Sequence, residues 1–583
     1  MHTPIITVCK EKIAFFIFQL GLGVLFSVLL TAPSVLLWDS HIFGYPHDGF
    51  EYIWKMWWTR KAILDLGISP ANLLFVNYPY EGNNPHLLAS PLIPILSIPF
   101  QNLLGLLGTY NAFVFISFAL SWPAAALLCR EFTQNPISAT VGAALYAFNA
   151  NKVAHAVGGH LPQVFTFLFP IMALLLFKSW RTKSRITVIL FGIILALSLL
   201  IDLKHIALFI APFLAIFFLF FLISDRNEIT LVSSKSLLIG FGITLVITLP
   251  FFLPLIYARL GGQLEYFYAP GAEKHSADLL GFFIPTPEHP IYSKIPIIRS
   301  LSTRLALPGW HENIFYLGWV VLVLAFLGII THWRDRAVRF WGVTTLVAVI
   351  LAMGPLLKIN EQIVRWNILG FSGVIHLPYA IIQALPFFDW GRTPGRIVLL
   401  AMMSLSVLIS VGTDWIINRF RVSKLRLLIV IAIVMLVLFD HLFVWPWPVG
   451  EATVPNFYYE IAEKNENYAI LDLPLWDYRC ERYQLYYATV HNHPIVGGII
   501  TRRSPGAEAA MREIEDIVTP RKSTNPSDLL GERGIRFVVL HKLCFDDGDL
   551  IVQAAYLEHN LGSPVFEDEW IEVFEAGDFS RLR

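Results

Sequence analysis

The sequence carries little charge for its length. Only 15% of its 583 residues are charged and 56% are hydrophobic, and the mean hydropathy is +0.60. A soluble globular domain contains about one quarter charged residues, so a soluble enzyme is excluded. The 43 basic residues are matched by 43 acidic residues, so the chain also lacks the basic excess that is typical of nucleic-acid binding.

Cysteine is equally scarce. The four residues are Cys9, Cys129, Cys480 and Cys544, which are too few and too widely spaced for a disulfide scaffold or a Cys-x-x-Cys metal site. Only Cys480 and Cys544 could form a bond, because they would share one small domain on an oxidising side of the membrane. Two free thiols are the alternative.

The charged residues are unevenly distributed along the chain. Residues 1–445 contain 30 Lys and Arg against 20 Asp and Glu, whereas residues 446–583 contain 13 against 23. This shift predicts an α-helical polytopic membrane domain in residues 1–445, with a first outer loop at 39–109, followed by a soluble extracytoplasmic α/β domain in residues 446–583. In this second domain we expect strands at 468–473 and 535–540, helices at 508–518 and 550–561, and a hairpin of 565–566 with 570–574.

About eleven apolar runs have the length, or nearly the length, of a membrane span, which takes about 20 residues. The segment 90–107 is interrupted by Pro91, Pro94 and Pro99, so we interpret it as a re-entrant or surface-lying segment, with a twelfth span as the alternative. The runs are 13–38, 110–129, 136–150, 161–177, 186–201, 205–223, 237–256, 313–331, 340–357, 395–413 and 427–445.

Basic residues collect in alternate loops between these runs, and loops rich in Lys and Arg remain cytoplasmic. The pattern predicts a multi-pass protein of the plasma (inner) membrane, with a cytoplasmic N-terminus and an extracytoplasmic C-terminal domain. Asp, Glu, Lys and Arg are absent from the middle of every predicted span. Ion-coupled transporters usually need ionisable groups at membrane depth, so a pump or symporter is disfavoured.

An acidic pair begins the first outer loop. Asp48 and Glu51 are three positions apart at the start of a Trp-rich segment. We expect this segment to be an amphipathic helix in the outer headgroup layer, with Lys55 and Arg60 directed away from its apolar face. A carboxylate there can accept the proton of an acceptor hydroxyl as that hydroxyl attacks a sugar. Asp48 and Glu51 are therefore candidate catalytic residues, and the alternative is that Asp48 only caps the helix.

A set of short motifs is distributed over most of the chain. They are His47-Asp48-Gly49 with its Trp-rich helix, Asn77-Tyr78-Pro79-Tyr80-Glu81-Gly82 followed by His86, Ala154-His155-Ala156-Val157-Gly158-Gly159-His160, Asp278-Leu279-Leu280-Gly281-Phe282-Phe283-Ile284-Pro285, Glu312 before Tyr316-Leu317-Gly318, and Arg392-Thr393-Pro394-Gly395-Arg396. Together with the predicted topology, this set resembles the GT-C integral-membrane glycosyltransferases. It is most similar to a poorly characterised prokaryotic branch of that superfamily.

The resemblance implies a mechanism. Asp48 matches the loop-one carboxylate that is the expected general base, the donor would be a polyprenyl-phosphate sugar, and transfer would normally invert the anomeric centre. The sequence departs from related transferases at two places: Ala89-Ser90-Pro91 replaces a Lys-Pro-Pro pattern, and His155 and His160 replace an acidic residue at the outer end of the third span. No cofactor is expected, although the resemblance leaves a divalent metal open.

A lipid-phosphate donor keeps its phosphate at the outer headgroup layer, so its departure needs cations at the outer ends of spans. Arg392 and Arg396 are four residues apart and would project from the first turn of a span, where guanidinium groups and the helix N-terminus favour an anion. Lys204 and His205 lie in a short outer turn. The alternatives are interfacial anchoring by the arginines and a local ion pair of Lys204 with Asp202.

The outer loops add further polar and aromatic side chains. His155 and His160 cannot share one regular helical face, but a loop at Gly158-Gly159 could fold them together. We expect them, with Glu312, to bind sugar or phosphate, because zinc would need ligands that the sequence does not identify. Aromatic side chains that could stack on a sugar, or could only cover the membrane surface, are Tyr266, Phe267, Tyr268 and Trp310.

The sequence therefore predicts a membrane glycosyltransferase that moves a sugar from a polyprenyl-phosphate donor to an extracytoplasmic glycan, lipid or protein acceptor. Two alternatives stay open: a non-catalytic protein that handles or flips lipid-linked saccharides, and a membrane assembly scaffold. The first predicts that Asp48→Asn leaves the phenotype intact while loss of Arg392 and Arg396 does not. The second predicts that the isolated tail retains function.

Overall fold

The structure, a computed structural model, describes most of the chain. The aromatic residues predicted to contact a sugar, Tyr266, Phe267, Tyr268 and Trp310, lie outside the described residues. The described residues are 3–80, 82–182, 184–224, 231–264, 271–306, 311–368, 370–385, 391–464, 466–500, 503–520 and 526–576.

Helices dominate the described residues. Each of the eleven predicted apolar runs contains helix, as expected for segments that must satisfy their backbone groups without water. The α-helices are α1 (Thr3–Thr31), α2 (Pro46–Arg60), α3 (Leu92–Arg130), α4 (Ala139–Phe148), α5 (Ala150–Val157), α6 (Leu161–Val164), α7 (Leu168–Thr182), α8 (Arg185–Ile201), α9 (Ala211–Ser224), α10 (Leu231–Leu260), α11 (Pro296–Ala306), α12 (Trp319–Thr331), α13 (Arg336–Ala352), α14 (Tyr379–Gln383), α15 (Val398–Ile417), α16 (Ser423–Asp440), α17 (Asn456–Ala462), α18 (Tyr478–His491), α19 (Pro505–Val518), α20 (Pro526–Glu532) and α21 (Asp547–Leu561).

Five helical segments of the described chain are long and apolar enough to cross a membrane. Only 22% of the most apolar part of Lys10–Thr31, and the same share of Leu237–Leu260, is buried, so these two helices expose the kind of apolar surface that lipid covers. The predicted number of about eleven spans is not confirmed, because the other apolar helices are shorter or carry more charge. The five segments are Lys10–Thr31, Leu92–Arg130, Ile206–Ser224, Leu237–Leu260 and Pro394–Ile417.

The proline-containing segment 90–107 forms the first part of α3. Pro94 lies in the first turn of this helix, where its missing N–H would have no helical partner anyway. The helix is interrupted at Gly105, whose φ of +68° is a conformation that glycine adopts readily. A glycine, and not the prolines, therefore separates this segment from the rest of α3.

The strands are short, and the largest sheet has four of them. In that sheet the order is β11-β12-β10-β9, with β9 and β10 parallel and the other neighbours antiparallel. The strands are β1 (His41–Phe43), β2 (Asn72–Leu73), β3 (Gly82–Asn83), β4 (Lys358–Ile359), β5 (Gln362–Ile363), β6 (Arg365–Ile368), β7 (Phe371–Val374), β8 (Val449–Glu451), β9 (Ala469–Leu473), β10 (Ile535–His541), β11 (Phe566–Glu567) and β12 (Ile571–Glu575).

The chain divides into two compact units. The predicted boundary at residue 445 stays a prediction, but the structure groups the first outer loop with the C-terminal tail. The first unit comprises Met1–Trp38, Asn111–Leu253 and Tyr268–Pro448, and the second comprises Asp39–Tyr110, Pro254–Phe267 and Val449–Arg583.

The first unit is built around α15, which is almost entirely buried. Helices α4, α12 and α13 pack against it. Small residues permit this close approach, because a Cβ at Gly412 would collide with the backbone oxygen of Leu324 and one at Gly328 with that of Leu408. The unit therefore has a tightly packed helical core.

The second unit combines residues that are hundreds of positions apart. Strand β1 pairs with β8, and α2 packs against α18. The strands and helices predicted in the tail are present as β9, β10, α19 and α21, and β11 and β12 form the expected antiparallel pair. Cys480 and Cys544 form a disulfide bond, with their Cα atoms 6.1 Å apart, so the alternative of two free thiols does not hold for this pair.

Candidate active site

Asp48 lies in the first turn of α2, in the second unit. Pro46 begins this helix, where its fixed φ suits the first helical position. Tyr45 is the N-cap residue and makes no side-chain cap, and the helix is kinked at His47, directly before Asp48. That Asp48 caps the helix therefore stays an alternative. Gly49 lets the chain pass close to its neighbours, since a Cβ there would collide with Ile42 and crowd Tyr110.

We call Asp48, Glu51, Lys55, Tyr478 and Arg482 the Asp48 cluster. The hydroxyl of Tyr478 and the Nη2 of Arg482 both donate to Asp48 Oδ1, the second over 3.0 Å. Arg482 Nη2 also donates to the Tyr478 hydroxyl over 2.9 Å. The side chain of Asp48 is still 23% exposed, whereas that of Arg482 is only 3% exposed. Asp48 is thus oriented by protein groups and keeps some access to solvent.

Glu51 is buried and engaged at both oxygens. Lys55 Nζ lies 2.5 Å from Oε1, and Arg482 Nη1 lies 2.6 Å from Oε2. Burial alone would raise the pKa of Glu51, but the charges of Arg482 and Lys55 outweigh it and hold the pKa below its ordinary value. Glu51 is therefore an ionised partner of two cations, which suits holding Arg482 in place better than accepting a substrate proton.

Lys55 is buried, with 7% of its surface exposed. Its ammonium group pairs with Glu51 one turn earlier on α2, and α18 packs against this helix. Phe50 stacks on Tyr486 of α18, with ring centroids 4.5 Å apart and planes 4° apart. With this cover in place, only a paired cation is tolerated beside Glu51.

Arg482 and Tyr478 were not among the residues predicted from the sequence. They are four residues apart on α18, which starts where the Asp477 side chain accepts hydrogen bonds from the backbone N–H groups of Arg479 and Cys480. Such a cap predicts a helix but not its partner. Nothing local to α18 indicates that one of its arginines binds carboxylates more than 430 positions away.

A second group of charged and imidazole side chains lies in the first unit, and we call His155, His160, Glu312 and Arg396 the His155 cluster. Helix α5 ends at Val157, and Gly159, with φ of +81°, reverses the chain so that the His160 N–H donates to the His155 carbonyl. The two Nδ1 atoms lie 2.8 Å apart. The expectation that a loop folds these histidines together is confirmed.

Glu312 and Arg396 complete this cluster from two other segments. Arg396 Nε donates to Glu312 Oε2 over 2.9 Å, and its Nη2 donates to Oε1. Glu312 Oε1 also lies 3.9 Å from His160 Nδ1. Burial would raise the pKa of Glu312, yet Arg396 holds it well below its ordinary value. Burial lowers the pKa of His155 well below its ordinary value, so this histidine is neutral.

The predicted arrangement of Arg392 and Arg396 is wrong. They do not project from one helical turn, because α15 begins only at Val398 and Arg396 lies in a short 3-10 turn, Pro394–Ile397. The residue before a proline is disfavoured in helix, so Thr393 keeps Arg392 outside the turn. Arg392 is exposed, while Arg396 turns towards Glu312.

The turn that carries Lys204 and His205 lies beside the Arg396 turn. Residues Ile206–Ile210, which follow His205, pack against Pro394–Ile397. The backbone N–H of Lys204 donates to Asp202 Oδ1 over 2.9 Å. His205 is buried with its ring edge on Phe169, and burial lowers its pKa to about 4. The turns that carry His205 and Arg396 are thus neighbours within the first unit.

Three atoms of the His155 cluster could serve as ligands of one metal ion. The donor atoms of His155, His160 and Glu312 all lie within 4.8 Å of one another. Two imidazole nitrogens and a carboxylate oxygen are a common donor set for catalytic zinc. Glu312 supplies the ligand that the sequence could not identify, because it lies more than 150 positions from the histidines.

Several solved structures are similar to this chain at low sequence identity. ArnT from Cupriavidus metallidurans bound to undecaprenyl phosphate is 12% identical over 94% of this chain and 97% of its own, with a TM-score of 0.48. An Archaeoglobus fulgidus oligosaccharyltransferase in complex with Zn and sulfate is 14% identical over 93% and 70%, with a TM-score of 0.47. The archaeal oligosaccharyltransferase AglB from A. fulgidus, with an inhibitory peptide and a dolichol-phosphate, is 12% identical over 90% and 69%, with a TM-score of 0.43. TM-scores below 0.5 establish neither a shared fold nor a shared activity.

A sequence family, in contrast, covers more than half of the chain. No curated protein matches the chain. The family DUF6311, described as a domain of unknown function, matches residues 77–441. The chain therefore belongs to the DUF6311 family.

Proposed function

We propose that this DUF6311 protein is a membrane glycosyltransferase of GT-C type. In this proposal it moves a sugar from a polyprenyl-phosphate donor to an extracytoplasmic acceptor, with Asp48 as general base and inversion of the anomeric centre. The proposal rests on the motifs that resemble GT-C enzymes and on the chemistry of the Asp48 cluster. The acceptor class, whether glycan, lipid or protein, follows from neither.

The observation that carries the proposal is the contrast between the two acids of the Asp48 cluster. Glu51 is buried and bound to two cations, whereas Asp48 keeps 23% of its side chain exposed beside the same arginine. A general base must be oriented and must be reachable by the proton that it accepts. Asp48 meets these requirements, and Glu51 acts through Arg482 as a positioning residue.

The reaction then needs one proton transfer and one bond exchange. Asp48 accepts the proton of an acceptor hydroxyl while the hydroxyl oxygen attacks the anomeric carbon. The bond between that carbon and the phosphate oxygen breaks, and the lipid phosphate departs with the electron pair. Arg482 and Tyr478 hold the Asp48 carboxylate in one orientation, so little reorganisation is needed as the proton moves.

The departing phosphate needs positive charge, and we propose Arg392 and Lys204 as its source. Arg396 is less suited alone, since Glu312 neutralises it. Arg392 is exposed and lies before the turn Pro394–Ile397, so its guanidinium is available to a phosphate. His155, His160 and His205 add hydrogen-bonding groups on the same unit.

The proposal also includes a location. Positive loops predict a plasma-membrane protein with a cytoplasmic N-terminus and an extracytoplasmic tail. The Cys480–Cys544 bond supports this side for the tail, because disulfides persist in oxidising compartments. A maleimide reagent that cannot cross membranes should label single cysteines introduced at exposed tail positions in intact cells, and labelling only after lysis would contradict this orientation.

The test is sugar transfer in vitro. Purified full-length protein is incubated with a panel of radiolabelled polyprenyl-phosphate sugars and an envelope extract as acceptor source, and label is followed out of the lipid-phosphate fraction. The wild type and Asp39→Asn, a matched change at an exposed residue of the same unit, should transfer one of the donors. Asp48→Asn should not.

The same variants separate the rival function. A protein that only handles or flips lipid-linked saccharides would support growth or envelope assembly equally well with Asp48→Asn, and would fail when Arg392 and Arg396 are both changed to Ala. That outcome, with no transfer by the wild type from any donor, would overturn the enzyme proposal.

A further inference from the structure

We propose that His155, His160 and Glu312 bind one divalent transition-metal ion, and that zinc fits this donor set best. The site lies entirely within the first unit. It goes beyond the proposed glycosyl transfer and does not depend on it. The sequence alone leads us to expect no cofactor and leaves a divalent metal open.

The distances between the donor atoms suit a shared ion after small shifts. Bonds from zinc to nitrogen or carboxylate oxygen are about 2.0–2.2 Å, so two ligands of a tetrahedral ion lie about 3.3 Å apart. The two Nδ1 atoms are 2.8 Å apart, and His160 Nδ1 is 3.9 Å from Glu312 Oε1. The first gap is slightly shorter than this spacing and the second is slightly longer.

The backbone already holds the two histidines together. Gly158 closes α5, and the next residue, Gly159, has a positive φ, so the chain returns His160 to the His155 carbonyl. The ring of His311 lies against Gly158, where a Cβ would collide with it. The turn is therefore fixed by packing, which lowers the entropy that ligands lose when they bind an ion.

Arg396 orients the third ligand. Its Nε and Nη2 bind one lone pair of each Glu312 oxygen, and each oxygen has a second lone pair. Carboxylates that bind metals are commonly fixed by such outer hydrogen bonds. The Glu312–Arg396 pair is thus compatible with a metal ligand, and it presets the direction of the carboxylate.

The histidines favour a cation between them. Without an ion, two facing Nδ1 atoms require one ring to carry its proton there and the other to leave that nitrogen bare. His155 Nε2 is buried without a hydrogen-bond partner among the described residues. No contact at this nitrogen therefore decides which nitrogen of the His155 ring carries the proton. An ion would take the lone pairs of both Nδ1 atoms and remove this constraint.

The charge of the site indicates what else it would bind. Glu312 and Arg396 neutralise each other, so a divalent ion would leave a net positive site. Three protein ligands leave a fourth position open, as in catalytic zinc sites. Water or a phosphate oxygen would occupy that position.

The experiment measures metal binding without any sugar donor. Full-length protein without a polyhistidine tag is purified in detergent, stripped with a chelator, dialysed against Zn²⁺, Co²⁺ or Mn²⁺ and analysed for metal by mass spectrometry. The wild type should retain about one zinc per chain. With Co²⁺ it should show the visible absorption of a low-symmetry, tetrahedral site.

Variants assign the ligands. His160→Ala and Glu312→Gln should lose the cobalt spectrum and retained zinc, and Arg396→Lys should weaken zinc binding about 10- to 100-fold as an outer partner. His376→Ala, which changes an exposed histidine of the same unit outside the cluster, should bind as the wild type does.

Two results would overturn the site. One is a wild type that retains neither zinc nor cobalt, a result that does not depend on whether the variants fold. The other is undiminished binding by His160→Ala and Glu312→Gln that run as single species on gel filtration. Since no donor is used, a failed transfer assay with intact zinc binding would contradict the proposed function alone.

Discussion

The Asp48 cluster and the His155 cluster both contain an arginine bound to a glutamate, yet they leave different groups available. In the Asp48 cluster Arg482 also binds a second acid, so the partly exposed group is a carboxylate. In the His155 cluster Arg396 binds Glu312, and the neighbouring groups are imidazoles. An arginine–glutamate pair thus lies beside a partly exposed carboxylate in the Asp48 cluster and beside imidazoles in the His155 cluster.

The two arginine–glutamate pairs differ in how deeply they are buried. Such pairs contribute little net stability when partly exposed but are costly to break when buried. Arg482 is the more deeply buried, with 3% exposure against 12% for Arg396. We therefore expect the Asp48 cluster to be the more sensitive to loss of its arginine.

The largest effect on stability is expected from Arg482→Gln. This change leaves Glu51 and Asp48 without their shared cation in a buried site, which should destabilise the second unit by about 3–5 kcal/mol. Thermal unfolding of the purified protein, followed by intrinsic fluorescence, measures the loss. Arg479→Gln changes an exposed arginine on the same helix and should leave the curve unchanged, and equal curves for both variants would refute the burial argument.

The next effect concerns only the second unit. Changing Cys480 and Cys544 together to Ser removes a cross-link between residues 64 positions apart, which should cost about 2–4 kcal/mol. Limited proteolysis should then cut the tail faster and leave the helices of the first unit as before. Reduction of this double variant serves as the control and should change nothing. Equal protection of the tail with and without the bond would contradict the prediction.

A smaller effect is expected from Glu312→Gln in the first unit. The amide keeps the shape of Glu312 but loses the charge that faces Arg396, so we expect a loss of about 1–3 kcal/mol. Glu273→Gln, at an exposed position of the same unit, is the matched control. Should Glu312→Gln destabilise more than Arg482→Gln, the ranking of the two clusters would be reversed.

The smallest effect is a difference in acid sensitivity. Burial lowers the pKa of His205 to about 4, so the folded protein favours the neutral ring. The free energy of unfolding is therefore unaffected by this histidine above pH 6.5 and falls as the pH drops towards 4, by about 1 kcal/mol at pH 5.5. The Glu51 pKa is lowered from 4.5, so its contribution is complete above pH 4.5 and is lost only below it.

Hydrogen exchange measured by mass spectrometry at several pH values, corrected for the intrinsic rate, checks this order. Peptides around His205 should lose protection between pH 6.5 and 5, while peptides of α2 remain protected until below pH 4.5. His205→Asn should remove the first transition. Simultaneous loss in both peptides would contradict the separate titrations.

Local patterns predicted much of the fold and part of the site. Long apolar runs predict the helices because both lipid and a packed core surround helices with apolar groups. Short apolar runs predict the buried strands β9 and β10. Asp48 and Glu51 were identified from their spacing at a helix start. His155 and His160 were expected to meet because a Gly-Gly turn between them allows only a few paths.

The remaining contacts join residues that no local pattern connects. Arg482 binds acids on α2, and Arg396 binds Glu312, 84 positions away. Periodicity describes one element at a time, so it does not indicate that Lys55 is buried and paired with Glu51. It also placed Arg392 and Arg396 on one helical turn, although Pro394 delays the start of α15.

The general base is tested most directly by the turnover of Asp48→Asn with the donor that the wild type uses, at saturating concentration. Asparagine keeps the size of the side chain but cannot accept the proton, so kcat should fall by about 10²- to 10⁴-fold while thermal unfolding resembles that of Asp39→Asn. A folded Asp48→Asn that transfers sugar as fast as the wild type would contradict the proposed role of Asp48.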